Sequence, residues 1–233
     1  LTTTHIAIKS LFNQTEMPDK IILWLAYDTD VPESIIDLTS LGLEIRYCKD
    51  YKSYKKLIPA LTQFPNDILI TVDDDVYYPP NWFSSLKQSY FNNPQKIHVN
   101  RAHEISINKN GELQCYKDWR FCVSKFDQEY LIFPTGSGGI LYPPNSFYHD
   151  VLKSEIFMSL APKGDDIWLW AMARLHGTKY YVLENGFRDL IDIDSQDKGM
   201  WIENIYQRGN DKQLVAIIEK YPKLLEILEK SLI

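Results

Sequence analysis

Two runs of aspartate carry the residue types from which chemistry could be built. Asp73, Asp74 and Asp75 follow the apolar stretch Asp67 to Val72 and precede Tyr77, Tyr78, Pro79 and Pro80. Three adjacent carboxylates repel one another unless a cation or a set of donors neutralises them, so this run predicts a site for a hard divalent ion. A bare acidic loop is the bland alternative. Asp165 and Asp166 follow Lys163 and Gly164 and open a second apolar stretch. One of this pair is accounted for as a helix cap, which leaves the other surplus to capping. Asp28 closes a further apolar run from Ile21 to Tyr27. The segment from Pro134 to Pro144 concentrates Gly136, Gly138 and Gly139. Glycine there permits either close approach of a ligand to the backbone or a bulged strand. The GxxxxGK[ST] signature of a phosphate-binding loop is absent.

Elements of alternating type must position these groups. The runs Ile21 to Tyr27, Leu43 to Cys48 and Asp67 to Val72 have strand length and composition. Helical spacing lies between them, over Val31 to Leu41, with Asp30 as a cap and Gly42 as a stop, and over Ser53 to Phe64. Strand and helix in alternation predict a βαβ-type, mostly parallel sheet, whose C-terminal strand ends are where ligands bind. A helix is expected over Pro80 to Phe91, short strands between Lys96 and Phe133 with a hairpin turn at Asn110 and Gly111, a helix over Ile167 to His176 and a strand over Lys179 to Glu184. Two helical segments follow, Leu214 to Tyr221 and Lys223 to Leu232. At the start, Leu1 to Thr4 reads as the end of a strand running into a helix, where an α/β domain starts with a full strand and a turn, so the expectation is that either a first strand or part of a loop near Thr3 is missing.

Composition narrows the classes. A chain of 233 residues suits one large domain or a domain with an extension. A formal net charge of −6 argues against a general nucleic-acid binder. Cys48, Cys115 and Cys122 are odd in number and form no CxxC pair, so neither a disulfide framework nor a zinc site is expected, and a reducing, cytoplasmic setting is the simpler reading. No apolar run reaches bilayer length and no signal peptide is expected, which leaves peripheral association with a membrane open.

Taken together, Asn13 to Leu25, Ser53 to Lys56, Thr71 to Pro79 and Gly164 to Trp170 resemble bacterial glycosyltransferases of the GT-A fold, with a DxD motif as in family 2. The resemblance implies a nucleotide-diphospho-sugar transferase fold: a mixed, mostly parallel central sheet flanked by helices. It divides the chain into a catalytic domain over 1–184, with a nucleotide-sugar half at 1–100 and an acceptor half at 101–184, and a helical extension or lid at 185–233. Asp73-x-Asp75 would hold Mn²⁺ or Mg²⁺ against the donor diphosphate, with Asp75 as direct ligand and Asp73 on metal or ribose. Asp74 would touch the donor sugar or cap the next turn. Asp28, Tyr51, Lys55 and Lys56 would meet base, ribose or phosphate, although lysines near a helix start are usually solvated. Gly138 and Gly139 would lie beneath the donor sugar or acceptor.

Asp166, or Asp165 in its place, would be the catalytic base of an inverting reaction, and a retaining course follows if neither serves. The implied activity is transfer of a hexose from a nucleotide sugar, with UDP favoured, to a saccharide or lipid-linked saccharide during polysaccharide synthesis. Trp201 and its surroundings would close over the donor. Two other readings compete. A haloacid-dehalogenase-type phosphatase also starts from Asp-x-Asp after a strand, but its pattern wants Thr or Val where Tyr77 stands. A non-catalytic carbohydrate-binding module would have little reason to keep both acidic runs.

Overall fold

The computed structural model describes residues 1–124, 129–187, 191–193 and 209–229. Helix α1, Thr4–Phe12, leads into β1, Ile21–Ala26, and a short helix α2, Glu33–Ile36, with the 3-10 turn Asp37–Leu41 carries the chain to β2, Leu43–Cys48. Gly42 ends that crossover at φ +104, a left-handed cap that costs glycine little. The crossover lets β1 and β2 pair in parallel, Ile21 beside Leu43 through Ala26 beside Cys48.

The helix expected over Ser53 to Phe64 is split. A 3-10 turn, Lys52–Lys56, is followed by α3, Ile58–Gln63, with Leu57 at φ −130 between them. Pro59 explains the break, because its ring would collide with the carbonyl four residues earlier if one helix ran through. The break leaves Lys56 on a tight turn.

Strand β3, Leu69–Thr71, delivers the first aspartate run, β4, Val76–Tyr77, follows it, and α4, Trp82–Asn92, begins after the two prolines. Next come β5, Lys96–Val99, β6, Ala102–Glu104, β7, Ile132–Pro134, and β8, Ile140–Tyr142. The Asn110 and Gly111 turn forms as expected, with an antiparallel bridge between Ile107 and Leu113. Helices α5, Ser154–Leu160, and α6, Asp165–His176, precede β9, Lys179–Val182, and β10, Ile191–Asp192; α7, Gly209–Lys220, and α8, Lys223–Glu229, end the described chain.

The architecture is a mixed α/β one. A four-stranded sheet has the order β3-β8-β5-β9, with β5 and β9 parallel and β8 antiparallel to both its neighbours. Apolar side chains collect in two layers. One holds α1, β1, Tyr78, Trp82 and Leu86, and the other gathers Tyr54, Phe157 and most of α6. Helix α6 is apolar all round because it is enclosed all round: Trp168 and Trp170 are fully buried, and their indole N–H groups donate to the carbonyls of Val151 and Ile132. Leu214, Ile217, Leu224 and Leu228 of the last two helices enter the same layer, so α7 and α8 are packed against α6. Among the described residues no helix is long and apolar enough to cross a membrane.

Candidate active site

Three chain segments far apart in sequence bring charge together around Gly136. The first is the turn after β3. Asp73 donates its backbone N–H to the Tyr78 hydroxyl at 2.9 Å, and that hydroxyl donates to the carbonyl of Ser137 at 3.2 Å. The phenol thus fastens the acidic turn to the glycine segment. The second is the 3-10 turn bearing Lys56, whose Nζ lies 3.0 Å from Asp73 Oδ1 and 3.0 Å from Asp165 Oδ2. The third is the first turn of α6, where both carboxylates face a helix N-terminus that favours negative charge.

Gly136 makes the convergence possible. A Cβ at this position would lie 3.0 Å from Lys56 Nζ and 3.2 Å from Asp166 Oδ1, so a side chain would press on the cluster. Its N–H also donates to Asp166 Oδ2 at 3.0 Å. Asp166 titrates far above the usual carboxylate range, at about 7, because burial disfavours its charge and Asp165 and Asp73 repel it, while Lys56 and the Gly136 N–H pull the other way. Lys56 is raised well above its ordinary value: its burial works against charge, but Asp165, Asp73 and Asp166 outweigh that. A carboxylate poised near neutrality beside a fixed ammonium can take a proton from a substrate hydroxyl.

Lys56, Asp73, Gly136, Asp165 and Asp166 line one cavity of about 1120 Å³. Lys52, Ser53 and Lys55 line it as well, as do Asp74 and Asp75. Asp74 accepts a hydrogen bond from the Thr4 hydroxyl at 3.1 Å, which ties α1 to the acidic turn. Lys55 pairs with Asp50. Ser53 Oγ is buried and finds no hydrogen-bond partner among the described residues.

Three residues singled out from the sequence lie elsewhere. Asp28 is exposed and does not line the cavity, whereas its neighbour Thr29 does. Tyr51 packs edge-on against Phe157, with ring centroids 5.9 Å apart, as part of the core. Gly139, at φ +80, is dictated by packing: a Cβ there would lie 2.2 Å from Trp82 Cζ2. Gly138 does line the cavity, and its carbonyl accepts from the Trp82 indole at 2.9 Å. Trp201 lies outside the described residues.

Sequence reasoning did not single out Gly136, Arg101, His103, Tyr116 or Phe121 as individual site residues, although all line the cavity. The glycine cluster carried a signal for the first of them. The others stand in a stretch of short strands with no motif to mark them.

Among the described residues no three acidic, histidine or cysteine side chains converge as a protein-only metal cage. A phosphate-bridging Mg²⁺ or Mn²⁺ does not need one, since one or two carboxylates with substrate oxygens and water suffice. Asp75 and Asp73, both in the cavity wall, fit that mode, with Asp73 shared with Lys56.

No protein-family model matches the chain, and no curated protein matches it. Among solved structures, CMP:2-keto-3-deoxy-manno-octonic acid synthetase in complex with CTP is similar with a TM-score of 0.43 and 14% identity, over 88% of this chain and 87% of that one. So distant a likeness leaves functional inference to the site.

Proposed function

We propose that the chain is a glycosyltransferase of the GT-A type that moves a sugar from a nucleotide diphosphate donor, UDP-sugar favoured, to a saccharide or lipid-linked saccharide hydroxyl. The observation that carries this reading is the convergence of Asp73, Lys56, Asp165 and Asp166 on Gly136 in a cavity large enough for a nucleotide sugar.

In the reaction, Asp166 Oδ2 stays on the Gly136 N–H and Oδ1 takes the proton of the acceptor hydroxyl. The acceptor oxygen bonds to the anomeric carbon, the bond from that carbon to the diphosphate oxygen breaks with inversion, and its electron pair leaves on the nucleotide diphosphate. Lys56 orients Asp165 and Asp73 and keeps Asp166 from being protonated permanently. Lys52 and Lys55 offer positive charge to donor phosphates. A divalent ion held by Asp75 and Asp73 would supply further charge stabilisation to the leaving diphosphate.

The test is calorimetric titration with UDP, with and without Mn²⁺, on the wild-type chain and on Asp75→Ala. Metal-dependent UDP binding that the substitution abolishes supports the reading. Absence of UDP binding by the wild-type chain under both conditions refutes it.

A further inference from the structure

Arg101 is a cation in the cavity wall that has no ion-pair partner among the described residues. It stands on the connection between β5 and β6, and the missing side chain of Gly138 lets it lie close across the glycine segment: a Cβ at 138 would be 2.9 Å from Arg101 Cβ. Its Nε donates to Cys122 Sγ at 3.0 Å, and its Nη1 donates to Ser137 Oγ at 2.9 Å and to Thr135 Oγ1 at 3.4 Å. Nη2 donates to none of these groups. Among the described residues no carboxylate lies within ion-pair distance of this guanidinium, although five aspartates line the same cavity. A guanidinium held in place by neutral groups is prepared for a planar or tetrahedral anion.

Its surroundings say which substrate brings that anion. The rings of His103, Tyr116 and Phe121 line the wall beside it, with 4.4 Å between the centroids of His103 and Phe121 and 5.7 Å between those of Tyr116 and Phe121. His103 is kept neutral, its pKa pushed down to about 3 by burial and by Arg101, so it adds no positive charge of its own. The buried Tyr116 phenol is raised by burial first, then by Asp166, while Arg101 opposes the rise, which sets this ring within electrostatic reach of both groups. Aromatic rings that share one cavity wall with a cation and the proposed base suit a sugar ring that carries both a hydroxyl and an acidic group.

We propose that Arg101 is the acceptor's anion subsite, so that the acceptor of this transferase is an acidic saccharide carrying a carboxylate or a phosphate. This rests on the glycosyltransferase reading above, and the experiment separates the two. Ligand-observed NMR titrations compare methyl glucuronide and glucose 1-phosphate with neutral methyl glucoside on the wild-type chain, on Arg101→Met and on Arg101→Gln. The second variant retains polar donors and guards against misfolding, which melting curves monitor.

The expected result is that at least one anionic sugar binds the wild-type chain about tenfold or more tightly than the neutral glycoside, and that both variants reduce it to the neutral level. The anion that shows the advantage identifies carboxylate or phosphate as the group recognised. No anionic preference in the wild-type chain, or a preference that survives in both variants, overturns the proposal. UDP is titrated into the same proteins. Loss of UDP binding in Arg101→Gln would assign the arginine to the donor phosphates and overturn the acceptor subsite. An Arg101-dependent preference in a wild-type chain that binds no UDP would uphold the anion site and remove the transferase reading.

Discussion

Replacing Lys56 with methionine keeps an unbranched stem of similar length and deletes the ammonium that lies 3.0 Å from both Asp73 Oδ1 and Asp165 Oδ2. At an effective dielectric of about 20, one unit-charge pair at that distance is worth roughly 5 kcal/mol. Two such pairs oppose a desolvation cost of several kcal/mol for the ammonium itself, so the net loss on removing the shared partner is about 3–5 kcal/mol. Its pH dependence has a definite sign. Asp166 titrates at about 7 with Lys56 holding it down, so removal of the ammonium moves it higher. A carboxyl raised on folding binds its proton more tightly in the folded chain, and that contribution is lost as pH rises through the folded pKa.

Below about pH 7 the group is protonated in both folded proteins, and the deficit of Lys56→Met is at its smallest. Above that it grows by up to about 1.4 kcal/mol per pH unit until the variant's own pKa is passed. Urea unfolding of both proteins at about pH 6 and about pH 9 measures this directly. A deficit under about 1 kcal/mol at both values, or one that shrinks as pH rises, would refute the charge argument.

Other substitutions separate the chemistry from the scaffold. Asp166→Asn is expected to keep UDP binding, read by calorimetry, and to lower kcat by about 10²–10⁴. In the wild-type chain, kcat/KM should rise about tenfold per pH unit up to about 7 and then level, because the base acts ionised; the same profile measured on the variant should be flat. Gly136→Ala and Gly139→Ala should part company in paired melting and turnover measurements. The first crowds the movable end of Lys56, costs about 1–3 kcal/mol and strongly lowers turnover. The second drives a Cβ into the Trp82 ring at positive φ and costs more stability, while the protein that remains folded turns over normally.

Much of the scaffold was legible because its signals are local. Unbroken apolar runs marked β1 and β2, Gly42 marked the end of the first crossover, and the aspartates ahead of Ile167 marked the start of α6. Both acidic runs were visible for the same reason. Lys56 was legible as a candidate donor-binding residue but not as their common partner, because it resembles any solvated lysine near a helix start until Pro59 splits the helix and Gly136 clears the space beside it. Gly139 misled in the opposite direction, since one glycine answers to a tryptophan ring and its neighbour to an arginine, and spacing does not distinguish them. Tyr51 shows the same ambiguity, an aromatic residue that serves the core through Phe157. Arg101 could be recognised only once the fold showed which residues it does not meet.

The Tyr78 hydroxyl accepts from the Asp73 amide and reaches 59 positions further along the sequence to donate to the Ser137 carbonyl. Its ring is fully buried against Trp82, with centroids 4.5 Å apart. The Asp73 amide proton sits in a turn of the cavity wall yet is held by a phenol anchored in the core, so its exchange with solvent is expected to be slow and set by the opening of that contact. Heating would not fray this site from its edge. The carboxylates keep their alignment until the surrounding layer gives way, and then lose it in the same cooperative step.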